Sequence, residues 1–148
     1  MAVLSWGKPT IKITKLGDDT ATAVTLKTPV EDSTQLTTSK GDKTEAKVEG
    51  GGIEAVKYKR NTYALEFTIR LAKGEKKPFD DIDGVISGEW KLELTPEASD
   101  AVGITIPRCI LSVEDAYTSA DGITLKYTAD AMIPEGDGTQ VTYTNTGS

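Results

Sequence analysis

An antiparallel all-β domain, a β-sandwich or barrel with one short helix and a long charged loop or hairpin arm, is the fold this sequence predicts. Three observations predict it. Apolar and polar residues alternate with a period of two in several separate runs. Threonine, whose β-branched side chain favours extended backbone, occurs 21 times in 148 residues. Clusters of Gly, Asp and Pro punctuate the runs. At this length the chain fits a single domain, 1–148, able to bury roughly 68–70% of its unfolded surface without disulfide or metal support.

Taken in order, Ile11 and Ile13 alternate with Lys12 and Thr14, and Val24 and Leu26 with Thr25 and Lys27, on either side of a GDD turn at 17–19. From Thr38 to Asn61 the text becomes TSKGDKTEAKVEGGGIEAVKYKRN, interleaved charges with little to bury. A polar stretch of that length inside a compact domain is either unstructured or a binding element. Read as a hairpin over 40–60, its strands are KTEAKVE and IEAVKYK, with Gly50, Gly51 and Gly52 at the tip. Ala46 and Val48 then share a face on one strand, and Ile53, Ala55 and Lys57 on the other. An isolated ribbon of this kind is marginal in water and becomes stable when another chain supplies contacts.

The best strand follows at once. Tyr63, Leu65, Phe67, Ile69 and Leu71 alternate with Thr62, Ala64, Glu66, Thr68 and Arg70, one dry face and one wet. Turn clusters KGEKKP (73–78) and DDIDG (80–84) lead to Trp90, Leu92 and Leu94, which alternate with Lys91 and Glu93. The stretch PEASDAV, Pro96 to Val102, has Pro at a first-turn position, early acids and Gly103 as a stop, and reads as one short turn of helix. Cys109, inside IPRCILSV, reads as a small apolar core residue. Residues 112–121 read as a strand end and turn. Ile123, Leu125, Tyr127, Ala129 and Ala131 form a further alternating strand, and a last one near Thr139 to Tyr143 precedes a frayed end. About seven to nine strands follow from these spacings.

Charge and composition exclude several classes of function. A net charge of −6 and a pI near 4.7 count against a phosphate-gripping surface. Lys57, Lys59 and Arg60 form the one dense basic cluster, and the preceding alternation of acids and lysines offsets it. The chain has no histidine, which removes the commonest general base and metal ligand. Gly50 to Gly52 is no P-loop, since no Gly-Lys-Ser/Thr follows. Asp80, Asp81 and Asp83 before Gly84 resemble the opening of a calcium loop, but the twelfth loop position carries no Glu, and a plain acidic turn is the expectation. No catalytic residues, cofactor or metal are expected, and the chain reads as a non-enzyme. With no export signal and no long apolar run, a soluble protein made in a cytoplasm, without membrane contact, is expected.

The run TSKGDKTEAKVEGGGIEAVKYKRNTYALEFTIRLAKG, followed by DGVISGEWKLELTPE, resembles the major tail tube proteins of tailed phages. It is also similar in layout to the Hcp-type tube proteins of contractile secretion systems. The resemblance implies a β protomer with a short flanking helix that assembles into stacked hexameric rings. Strands from Thr62 to Leu71 and Glu89 to Thr95 would form the lumen, and a charged loop would reach into the neighbouring ring. It implies an inter-subunit arm formed by Lys40, Asp42, Lys43, Glu45, Lys47, Glu49, Gly50, Gly51, Gly52, Glu54, Lys57, Lys59 and Arg60. The partners it implies are the chain itself and other tail proteins, with DNA passing through without specific binding. The setting would be the virion tail, assembled in a bacterial host cytoplasm. An acidic lumen wall suits such a conduit, because attraction to phosphate would slow passage of the genome. Long strands lacking a central proline would suit edge-to-edge joining.

An immunoglobulin-like or carbohydrate-binding module is the alternative of a different class. It calls for exposed aromatics, with Trp6 and Trp90 as candidates, although Trp90 is in phase with Leu92 and Leu94. A small hydrolase or cupin-like enzyme would want metal ligands or a nucleophile and base, and ranks last.

Overall fold

The computed structural model describes residues 7–17, 23–30, 33–98, 101–134, 136 and 138–144. These residues form ten strands: β1 (Thr10–Lys15), β2 (Val24–Thr25), β3 (Gln35–Ser39), β4 (Lys43–Lys47), β5 (Ile53–Tyr58), β6 (Thr62–Arg70), β7 (Trp90–Thr95), β8 (Gly103–Thr118), β9 (Gly122–Ala131) and β10 (Thr142–Thr144). Every ladder is antiparallel. Eight strands make one sheet in the order β2-β1-β7-β8-β9-β6-β3, with β10 added alongside β8, while β4 and β5 form a separate pair.

Among the described residues the sheet does not close through a ladder. One segment bridges its two ends: Leu26 N–H donates to the Ile11 carbonyl of β1, and Val30 N–H donates to the Thr68 carbonyl of β6. Inside the curl, alternate residues of β1, β6, β7, β8 and β9 share one dry face. Ile11, Ile13, Leu65, Phe67, Ile69, Leu92, Ile106, Leu111, Leu125 and Tyr127 are all buried there. Period-two alternation produces this directly, since successive side chains of a strand point to opposite sides. Phe79 and Ile86, from the loop before β7, close the core. Phe79 meets Trp90 edge-on at 5.0 Å and Tyr127 at 6.0 Å.

Two expectations need correction, the helix and the absence of a central proline. No helix forms among the described residues: Glu97 and Ala98 form a bend, and the Ala101 N–H donates to the Ala98 carbonyl before β8 starts at Gly103. Seven residues between two strand ends are too few to sustain a helix once its nucleation cost is met; Ser99 and Asp100 lie outside the described residues. The stretch 112–121 is a strand end and turn as expected: 112–118 is the second half of β8, a continuous 16-residue strand, and 119–121 is the turn into β9. That strand does contain a central proline. Pro107 lies where the β7 ladder steps from Leu92↔Ile106 to Trp90↔Cys109, leaving two β8 residues against one of β7. On the other edge, β10 pairing stops at Thr105 and β9 pairing starts at Cys109. A proline is tolerated at such an irregularity because no ladder N–H is needed there.

The loop between β6 and β7 is tightly built at residues 80–85. Ile82 and Val85 exchange reciprocal backbone hydrogen bonds of 3.0 Å around Asp83 and Gly84, whose φ values are 49° and 90°. Two positive φ values in a two-residue connection are the signature of a type I′ turn, which an Asp-Gly pair favours. The Val113 N–H donates to the Gly84 carbonyl, tying the turn to β8. The Asp81 carboxylate accepts from Gly84 N–H and from Lys77 Nζ, each at 3.0 Å, and Lys77 also reaches Asp115 at 2.9 Å. No group of three or more His, Cys, Asp or Glu side chains converges among the described residues.

This network predicts a pH dependence. The Gly84 N–H first and Lys77 second hold the Asp81 carboxyl below its ordinary 3.8, while Asp115 first and Asp81 second hold Lys77 above its ordinary 10.5. A lowered carboxyl contributes stability that is present above its unfolded value and lost as pH falls through the folded one. A raised amine contributes stability that is present below its unfolded value and lost as pH rises through the folded one. Asp81→Ala should therefore lower the melting temperature at pH 7, and the gap from wild type should narrow as pH drops from about 4 downward. A gap independent of pH in thermal melts would contradict this assignment.

Candidate assembly interface

The β4–β5 ribbon stands apart from the main sheet, since β4 and β5 pair only with each other. Its strands are exposed almost throughout. It continues the β3–β6 hairpin: the chain runs from β3 into β4 and returns from β5 into β6, with a break at 40–42 and 59–61.

That break is a close, hydrogen-bonded joint. Gly41 N–H donates to the Asn61 side-chain oxygen at 3.0 Å, and Lys59 N–H donates to the Asp42 carbonyl at 2.8 Å. The two strands cross so closely that a Cβ on Gly41 would sit 2.0 Å from the Lys59 carbonyl oxygen. Only glycine fits that crossing. On the outer side Arg60 donates to the Gly138 carbonyl at 3.2 Å, and Gln140 donates to the Asn61 carbonyl at 3.1 Å. The two strands are thus bonded to each other at the base, and the returning strand is tied to the 138–140 segment.

The register assigns each side chain to a face. Lys43↔Tyr58, Glu45↔Val56 and Lys47↔Ile53 are opposed on one face, and Thr44↔Lys57 and Ala46↔Ala55 on the other. The ladder shifts between Ala46 and Lys47, leaving Glu54 unopposed. This bulge corrects the strict alternation expected from sequence: Ile53 joins Val56 and Tyr58 instead of Ala55 and Lys57, because an extra residue reverses the phase of the strand. One face therefore carries an apolar row, Ile53, Val56 and Tyr58, each 44–53% exposed. Beside it runs a charged row in which Glu45 pairs with Lys43 and, at 3.9 Å, with Lys47. The Lys40 ammonium lies over the Tyr58 ring at 5.0 Å, an attraction between a cation and the negative face of the aromatic ring.

At the tip, Val48 and Gly52 close the ribbon by a 2.9 Å hydrogen bond, with Glu49, Gly50 and Gly51 in the turn. Gly50 and Gly51 have φ values of 93° and 89°, a region that side-chain-bearing residues seldom occupy. The basic cluster of Lys57, Lys59 and Arg60 does not act as one patch, because Lys57 is on the Ala55 face while Arg60 is turned to Gly138. The residues that sequence reasoning passed over are Gly41 and Asn61 at the joint and Ile53, Val56 and Tyr58 as a row. No periodic signal marks a bulge, so the row could not be found from alternation alone.

Elsewhere, chemistry is sparse. The Cys109 thiol is buried, donates to the Trp90 carbonyl at 3.3 Å and is pushed up to about 12 by burial, with Asp130 adding to the shift. It is inert as a nucleophile. A cleft of 710 Å³ opens beside the bridge between the sheet's two ends, lined by Leu36, Leu65, Leu94 and Ile104 with Thr34 and Glu97. Trp90 is half-buried against Phe79, and Trp6 lies outside the described residues. Trp90, so packed, does not offer the exposed aromatic platform that a carbohydrate-binding module would need.

The charge is unevenly divided. Six of the 17 basic and four of the 23 acidic residues lie between Lys40 and Arg60, so the ribbon is +2 and the rest of the chain −8. Compared with known proteins, the chain matches no protein-family model and no curated protein.

Proposed function

We propose that this chain is a structural subunit that self-assembles through the β4–β5 arm, as a tail tube protein of a tailed phage does, into stacked hexameric rings around a DNA-conducting lumen. The observation that carries the reading is the arm itself. It is hydrogen-bonded across the joint of Gly41 and Asn61, pairs with no strand of the main sheet among the described residues, and exposes Ile53, Val56 and Tyr58 beside a paired charged row. An apolar row on an exposed two-stranded ribbon is stabilised by what covers it, and a second copy of the chain supplies a cover in every assembly.

The wet face of β6 and β9 suits a lumen wall. Its Glu66 and Lys126 are paired at 3.4 Å and Arg70 is paired with Asp121 at 3.1 Å, which leaves little free positive charge to hold phosphate. The same protomer physics would serve a secretion-system tube. Imaging concentrated protein in negative stain tests the proposal: annular particles and short stacks are expected, and isolated small particles at all concentrations would refute it.

A further inference from the structure

The 80–85 turn combines two features rarely found together on a solvated loop. Ile82 and Val85 are 81% and 69% exposed, among the most exposed large apolar side chains described. Yet the turn is pinned by reciprocal backbone bonds, by the Val113 bond to β8 and by the Asp81–Lys77 pair. A pinned turn pays no ordering cost when it is covered. Asp80 and Asp83, two residues before and one after Ile82, enter no ion pair among the described residues.

The arm presents the complementary pattern. Its apolar row has Lys40 over Tyr58 and Lys47 opposite Ile53, and the arm is +2 against −8 for the remainder of the chain. The other exposed cross-strand pair, Tyr117 and Ile123, fits less well because Asp121 beside it is already paired with Arg70.

We infer that the 80–85 turn is the docking surface for the arm of a second copy of this chain, with Ile82 and Val85 covering Ile53, Val56 and Tyr58, and Asp80 and Asp83 meeting the arm's lysines. The inference rests on the assembly reading above and names the surface that receives the arm. Because donor and acceptor patches differ, the contact is heterologous and propagates from copy to copy. Opposite charges at its rim set orientation and accelerate encounter, and the apolar contact supplies most of the affinity.

The test uses the full chain. In the double variant Ile82→Ser/Val85→Ser, the melting temperature should hold, since neither side chain is in the core. The concentration at half-assembly should rise by about tenfold or more, the worth of two aliphatic side chains returned to water. In a second experiment, chains carrying Val56→Cys are mixed with chains carrying Val85→Cys under oxidising conditions; a mixed disulfide dimer is expected, and buried Cys109 does not compete. If wild type assembles and the double variant assembles equally well, or only Val56→Cys homodimers form, the docking surface is wrong while the assembly reading stands. A wild type that stays monomeric at every concentration overturns both.

Discussion

Phe67→Ala is expected to lower the unfolding free energy by about 3–5 kcal/mol, the usual cost of emptying a fully buried aromatic site. Phe67 has no exposed surface and is opposed to Tyr127 across the β6–β9 ladder, the two rings stacked at 5.5 Å. Tyr127 in turn meets Phe79, and Phe79 meets Trp90, so one chain of aromatic contacts ties β6 and β9 to the pre-β7 loop and to β7. The cavity left by alanine would be walled by strands whose spacing the ladders fix, and it cannot collapse cheaply. Denaturant unfolding measures the effect. A near-neutral result would mean that the Leu65, Phe67 and Ile69 face is not the core face. Glu66→Ala, on the opposite face of the same strand, should change stability by no more than about 0.5 kcal/mol.

The parts of the fold that could be read in advance are those where one physical signal dominates. β1, β6, β7 and β9 each have one face in the core, so their alternation was unambiguous, and Leu65, Phe67, Ile69, Leu92, Leu125 and Tyr127 are buried as that alternation requires. β8 was read only as a strand end and turn at 112–121, and its full length was hidden for the opposite reason. Its last five residues, Glu114 to Thr118, run past the core with both faces exposed, and Pro107 interrupts its first half. A strand held on its edges by β9 and by the 84–85 turn needs no dry face of its own at that end. β3 was missed likewise, since an edge strand reading QLTTS offers only Leu36 as an apolar mark. In the arm, charge density was visible in the sequence, whereas the apolar row depends on a one-residue bulge and the joint on a backbone crossing at Gly41. Both are three-dimensional facts that residue type alone does not encode.

Replacing Lys40 to Arg60 with a short Gly-Ser linker is expected to leave a folded domain and to abolish assembly. The buried core draws on none of the replaced residues, so the cooperative unfolding transition should persist. The losses on the domain side include the Gly41–Asn61 and Arg60–Gly138 hydrogen bonds. Each is worth about 0.5–1.5 kcal/mol at most in net terms, less than the stability of a typical domain. What disappears entirely is the Ile53, Val56 and Tyr58 row with its flanking lysines. Loss of folding in the replaced chain would place the segment in the core instead.

The most direct test of the arm as the element that joins copies is molar mass by light scattering across a wide concentration range, with the intact and arm-replaced chains run side by side. Mass that climbs well beyond one chain for the intact protein, and stays at one chain for the replaced one, is the result expected here. Equal masses for the two, whether monomeric or assembled, would contradict it.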